Sequence, residues 1–156
     1  MGTTDSASQE SAETEVEAGK IEELTSLLRA LSTVLDAFNG LASAVEQQAA
    51  EGRRCILAVT GLKHHPRQAF FFEVKGYKIQ IVDPFTNYTT YIEAPIDSVI
   101  RVLKGIWDGR EDAFSAEWSR GQAQIRGTRS LHDGMQFNEG FKRVARGIKQ
   151  YRALTA

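Results

Sequence analysis

A single cysteine, Cys55, stands among 156 residues. No intrachain disulfide can form, so a disulfide-stapled secreted scaffold is excluded. Cys55 lies in the apolar run Cys55-Ile56-Leu57-Ala58-Val59, where a buried, inert thiol is the commoner outcome than a reactive one. Long hydrophobic runs are also missing: nothing approaches the ~20 apolar residues needed to span a bilayer, so no stable membrane insertion is expected. The N-terminus lacks a basic region followed by an apolar one, which reads as no signal peptide and, by default, a cytoplasmic location. A charge excess of one sign is absent too. A formal net charge of −1 argues against bulk attraction to nucleic acid or an anionic membrane.

Near-neutrality hides an asymmetry. Residues 1–20 carry Asp5, Glu10, Glu13, Glu15 and Glu17 against Lys20 alone, whereas from Ile96 onward there are eleven Lys/Arg against seven Asp/Glu. The length implies one domain, able to bury about 70% of its unfolded surface without disulfide or metal. Residues 1–19, built from Ser, Thr, Glu, Ala and Gln, read as a disordered acidic tail, because they cannot bury enough apolar surface to offset the entropy of ordering. The expected domain is therefore 20–156.

From Lys20 the pattern changes. Ile21, Leu24, Leu28, Leu31, Leu35, Phe38, Ala42 and Val45 recur at steps of three and four, the mark of an amphipathic helix. Asn39-Gly40 interrupts it, so either one helix runs over 20–51 or two meet near Gly40. Beyond Gly52 the period falls to two. Arg54–Thr60, Gln68–Lys75, Tyr77–Asp83 and Tyr88–Glu93 read as strands, the middle two forming a hairpin about Gly76. Phe70, Phe72 and Val74 then share a face with Tyr77, Ile79 and Ile81, while Phe71 points the other way beside Glu73 and Lys75. Pro95 opens a helix through Val99, Ile100, Val102, Leu103 and Ile106. Glu111–Ser119 makes a short helix with Phe114 and Trp118 four apart, Gln122–Arg126 a fifth strand, and Leu131–Ile148 a helix broken near Asn138–Gly140. Consecutive strands followed by helices predict an α+β fold: a five-stranded, mainly antiparallel sheet covered by helices on one face, with an extended N-terminal helical region.

Catalytic chemistry finds no foothold. His64-His65 are adjacent, and on an extended chain they point apart, so they chelate poorly and no ligand-spaced Cys/His/Asp cluster joins them. A polar hairpin loop is the better reading. His132-Asp133 has no serine motif, second cysteine or phosphate loop nearby. Ser130 or Thr128 reads as a helix cap. Glu111-Asp112 suits the first turn of a helix, where negative charge is favoured. No enzyme activity, metal or cofactor is expected. Arg120, Arg126, Arg129, Lys142, Arg143, Arg146, Lys149 and Arg152 could touch phosphates, but a solvated helix face is the commoner origin of such a set. Nothing aromatic interleaves with these cations, so nucleic acid is not expected as a partner.

Three pieces of the chain carry a family likeness. Phe70–Val82, the run from Tyr91 through Pro95 to Gly105, and Asp112–Gly127 together make the stretch 55–148 resemble the sterol carrier protein (type 2) domain. The resemblance implies a five-stranded sheet covered by helices, a tunnel that takes sterols, fatty acids or acyl chains, and a non-catalytic role. The expected walls are Phe70, Phe72, Ile79, Ile81, Ile92, Leu103, Trp107, Phe114, Trp118, Ile125, Met135 and Phe137, with the C-terminal helix as lid. The alternative is an interaction module, a homodimer joined through Ile21, Leu24, Leu28, Leu31, Leu35 and Phe38.

Overall fold

A computed structural model describes residues 2–39, 51–75, 78–127 and 130–155. Helix α1 runs Gly2–Asn39, strand β1 Arg54–Thr60, β2 Gln68–Lys75, β3 Lys78–Ile81 and β4 Thr90–Pro95. Helix α2 spans Ile96–Trp107, α3 Ala113–Ser119, β5 Gln124–Arg126 and α4 Ser130–Thr155. The strands form one sheet in the order β3-β2-β1-β4-β5. All pairs are antiparallel except β1 with β4. The fold is α+β, as the alternation of periods implied.

Register decides which side chains share a face, because alternate residues of a strand point to opposite sides. Leu57 lies opposite Phe70 and Ile92, Cys55 opposite Phe72 and Thr90, and Ile125 opposite Ile92. In the β2–β3 hairpin Phe72 meets Ile81 and Val74 meets Ile79, as the alternation predicts. Gly76 and Tyr77 lie outside the described residues. These inward residues face the helices, since Val59, Ala94, Leu57, Phe70 and Phe72 belong to or pack against the cluster formed by α1, α2 and α4. Arg54, Ile56, Glu73, Phe71, Tyr91 and Glu93 occupy the opposite, outer side.

The buried core sits mainly where the helices meet. Leu24 and Leu28 of α1, Ile100, Leu103 and Ile106 of α2, and Val144, Ala145 and Ile148 of α4 form one cluster. In α2 the spacing Ile96, Val99, Ile100, Leu103 keeps one apolar face inward. Pro95 sits at the N-cap with φ −61°, a value its ring fixes in any case. Gly105 lets α2 and α3 approach closely, since a Cβ there would overlap the Ala113 Cβ at 2.7 Å.

Two sequence expectations are corrected, and a third falls on residues outside the described ones. The acidic segment 1–19 is not a disordered tail: α1 starts at Gly2. Its Ala, Glu and Gln residues are strong helix formers, and the segment is held by contacts from Glu13 and Glu17 to a distant loop. Helix α1 is described as far as Asn39, and the choice between one helix over 20–51 and two meeting near Gly40 falls on residues 40–50, outside the described ones. Helix α4 is continuous through Asn138–Gly140. An interior glycine costs only about 1 kcal/mol relative to alanine, less than is gained by burying Val144, Ala145 and Ile148.

Candidate functional site

The layer between the sheet and its helices has two unlike halves. Its aliphatic half is closed, with Leu24, Val59 and Ile106 at 0% exposure. Its ring-bearing half is not: Phe70, Phe72, Trp107 and Phe141 are only partly buried against the same cluster. Leu57, Ile79, Ile92, Trp118 and Ile125 are likewise half-buried. Phe114 packs edge-on to Trp118 at 5.4 Å and tilted against Phe141 at 5.3 Å. Among the described residues, Trp107 Nε1 and Asn138 Oδ1 are buried with no hydrogen-bond partner. An unsatisfied buried polar group typically costs about 1–3 kcal/mol.

The twelve expected wall residues therefore divide. Phe70, Phe72, Ile79, Ile92, Trp107, Trp118 and Ile125 stand in the half-buried part. Leu103 and Phe114 are buried, at 4% and 8% exposure. Ile81 and Met135 do not line the interior: they are 44% and 64% exposed. Ile81 ends the edge strand β3, with no neighbouring strand outside it, and Met135 is on a solvent-facing side of α4. The Phe137 side chain lies outside the described residues. A separate surface depression of about 190 Å³ is lined by Val59, Thr60, Gly61, Leu62 and Arg67, none of them an expected wall residue.

The apolar stripe of α1 turns toward its own domain. Leu24, Leu28 and Leu31 are buried in the core, so they are not available as the dimer seam that the alternative required. Ile21 packs against the same cluster, and the Leu35 and Phe38 side chains lie outside the described residues. Around the stripe, Lys20 pairs with Asp97 at 2.9 Å, Lys104 pairs with Glu23, and the Ser32 hydroxyl donates to the Ile79 carbonyl at 2.9 Å.

Two carboxylates are held in place by donors. Glu117 of α3, 6% exposed, accepts from Arg101 Nε at 2.8 Å, Arg101 Nη2 at 3.2 Å and Arg120 Nη1 at 3.1 Å. The Arg101 guanidinium keeps its carboxyl below the usual range, against the opposing effect of burial. Burial also pushes Glu17 upward, but the backbone N–H groups of His64 and Lys63 and the His65 ring outweigh it and hold the group low. His64 Nε2 lies 2.9 Å from Glu13. The His64-His65 loop is thus a docking point for α1, a role that nothing local to the two histidines announces. Among the described residues, no group of three or more His, Cys, Asp and Glu could hold a metal ion. Nor, among them, is any helix long and apolar enough to cross a membrane.

The C-terminal cations are mostly paired locally. Arg146 donates to Glu111 at 2.7 Å, Lys142 lies 3.7 Å from Glu139, and Arg152 lies 3.9 Å from Asp108. Glu111 therefore ties α4 to the turn before α3, a tertiary role beyond the helix-terminus effect expected of it.

Comparison of the fold with solved structures gives a likeness to a protein titled "UbiJ-SCP2 Ubiquinone synthesis protein", at TM-score 0.54 and 12% identity, covering 74% of this chain and 93% of that one. The fold is of the sterol carrier protein 2 type. Sterol carrier protein 2 from Yarrowia lipolytica in its apo form aligns at TM-score 0.46 and 10% identity, over 74% of this chain and 90% of that one. A Thermus thermophilus protein titled "possibly sterol carrier protein" aligns at TM-score 0.40 and 17% identity, over 67% of this chain and 76% of that one. No protein-family model matches the chain, and no curated protein matches it.

Proposed function

We propose that this chain binds an apolar or amphiphilic ligand, of the sterol, fatty acid or acyl-chain class, between the sheet and its helices, and catalyses no reaction on it. The observation that carries this reading is the incomplete burial of Phe70, Phe72, Trp107 and Phe141 on the helix-facing side of the sheet. Large rings in a closed core would be fully removed from water. Leaving them half-buried forgoes part of the roughly 1.5–3 kcal/mol that burying one such side chain contributes, and a guest would recover it. Trp107 Nε1 and Asn138 Oδ1, a donor and an acceptor with no partner, suit a guest with one polar end. The SCP2-like fold, shared with a neighbour whose title names ubiquinone synthesis, supports a lipid of this class. α4 would act as the lid, since Phe141 and Asn138 lie on it.

Two measurements test this. Protein purified from cells should release a lipid-sized species in native mass spectrometry, and should raise the emission of a fluorescent fatty acid in a saturable way. Phe72→Ser or Trp107→Ser should weaken the second signal by about tenfold, the scale of one lost ring contact. No bound species and no emission change together would end the reading.

A further inference from the structure

The first half of α1 has little apolar hold on the domain. From residue 7 to Gly19 every residue is exposed except Thr14 and Glu17, and the first buried side chain beyond them is Leu24. This stretch is met by the β1–β2 loop, which lies 46 to 51 residues further along the chain. Two imidazoles of that loop stand against two carboxylates of α1. His64 Nε2 lies 2.9 Å from Glu13, and His65 Nδ1 lies 3.4 Å from Glu17. The rings are 24% and 23% exposed, so each contact is partly shielded from water. Glu13 and Glu17 are four apart on a helix and therefore meet the loop together.

The contact has a fixed part and a graded part. The backbone N–H groups of Lys63 and His64 donate to Glu17 at 3.1 and 3.0 Å whatever the charge on the rings. The ring contacts differ. A carboxylate accepts from a neutral imidazole N–H, and the contact becomes a charge pair once the ring takes up a second proton. An imidazole ordinarily does so near about pH 6.5. Burial works against the charge on Glu17, whereas the His64 and Lys63 backbone N–H groups, the His65 ring and the His64 charge favour it. Coupling of this kind is reciprocal, so the carboxylate favours charge on the rings in turn. Of the other charges around the loop, Lys20 is engaged by Asp97 at 2.9 Å and Arg67 by Glu93 at 2.7 Å. Lys63, on the loop itself, opposes the ring charge, and Glu10, a turn before Glu13, favours it.

We propose that the His64-His65 loop is a pH-graded clasp on the start of α1, tightening as pH falls from about 8 to about 6. The closed form takes up protons more readily than the open one, so its share rises as the rings gain charge and falls as they lose it. In stronger acid Glu13 and Glu17 are neutralised and the clasp loosens again. The moving part is the segment before Lys20. Ile21, Leu24 and Leu28 keep the rest of α1 in the core, where no titrating group is involved. The device therefore changes how firmly an acidic helical segment lies on the domain, without disturbing the packed interior.

The test is hydrogen exchange of the full chain, read by mass spectrometry at about pH 6 and about pH 8 and divided by the intrinsic rate at each pH. Partly exposed ion pairs contribute up to about fivefold each. Protection of peptides from the first half of α1 should therefore rise about five- to tenfold from the higher pH to the lower. The double variant His64→Gln, His65→Gln should abolish the rise and keep the protection that the Lys63 and His64 backbone N–H groups give. Glu13→Gln, an exposed change on the helix surface, should remove the His64 share and leave a rise of about two- to fivefold. Peptides from α2, which report the core, should not follow. No rise in the parent chain, an equal rise in the double variant, a Glu13→Gln chain that matches the parent, or a matching rise in α2 would each overturn the proposal.

Discussion

Glu17 of α1 accepts the backbone N–H of Lys63 at 3.1 Å and that of His64 at 3.0 Å, joining the start of the chain to the β1–β2 loop. Its side chain is 12% exposed. Because its carboxyl is held below its ordinary value, the contribution is complete above that ordinary value and fades as pH falls through the lowered one. Glu17→Gln should therefore lower the melting temperature at neutral pH, with the difference from the parent shrinking as pH falls below the ordinary carboxylate range. Thermal melts followed across that range decide it; an offset that persists at acid pH would show another cause.

Glu117 makes a second acid-sensitive contact. Glu117→Ala removes three charge-assisted hydrogen bonds, two of them between α2 and α3. The Arg101 and Arg120 side chains are more than half exposed, so their charges return to water and screening limits the cost to about 1–2 kcal/mol. The sign again follows a lowered carboxyl: the loss is full at neutral pH and shrinks in acid. Urea titrations at both conditions read it directly.

Leu24→Ala tests where the α1 stripe points. Leu24 is fully buried, so truncation should cost about 2–5 kcal/mol in denaturant unfolding. Sedimentation mass should not change. A fall in mass with unfolding free energy preserved would instead make the stripe a contact between chains.

Glycines should respond in opposite directions. Gly127 has φ +136°, and a Cβ there would overlap the Thr89 carbonyl. Gly127→Ala and Gly105→Ala should each destabilise by about 1–3 kcal/mol. Gly140, inside α4 with open space where a Cβ would go, should accept alanine with a gain of roughly 0.5–1 kcal/mol. Parallel denaturant curves for the three variants check the order.

Much of the fold was legible because it is written in local periods. The alternation Phe70, Phe72, Val74 against Ile79, Ile81 marked both hairpin strands and their common face, and the spacing from Val99 to Ile106 marked α2. What stayed hidden depends on pairing at a distance. Nothing local to Glu13 or Glu17 announces the loop at His64, so their segment read as a tail. Tyr91 and Arg126 meet only once β4 and β5 are in register, so cations that lack aromatic company along the chain acquire it in three dimensions. In α4 the Asn138–Gly140 signal was a true helix-breaking preference that packing overrode. Ile81 and Met135 have apolar side chains, and their identity alone could not tell that the edge strand and the helix leave them in water.

One strand pairing shapes how this chain must be made. β1, the middle strand, pairs on one flank with β2, its neighbour in sequence, and on the other with β4, which runs alongside it in the same direction and is made later. Until then the three-stranded meander offers an unfilled row of amides and carbonyls to any passing polypeptide. β4 leads straight into α2, so the strand that seals that flank and a helix that covers the interior are made one after the other. A nascent or truncated chain stopping short of residue 90 would have neither, and would be the form most prone to clump.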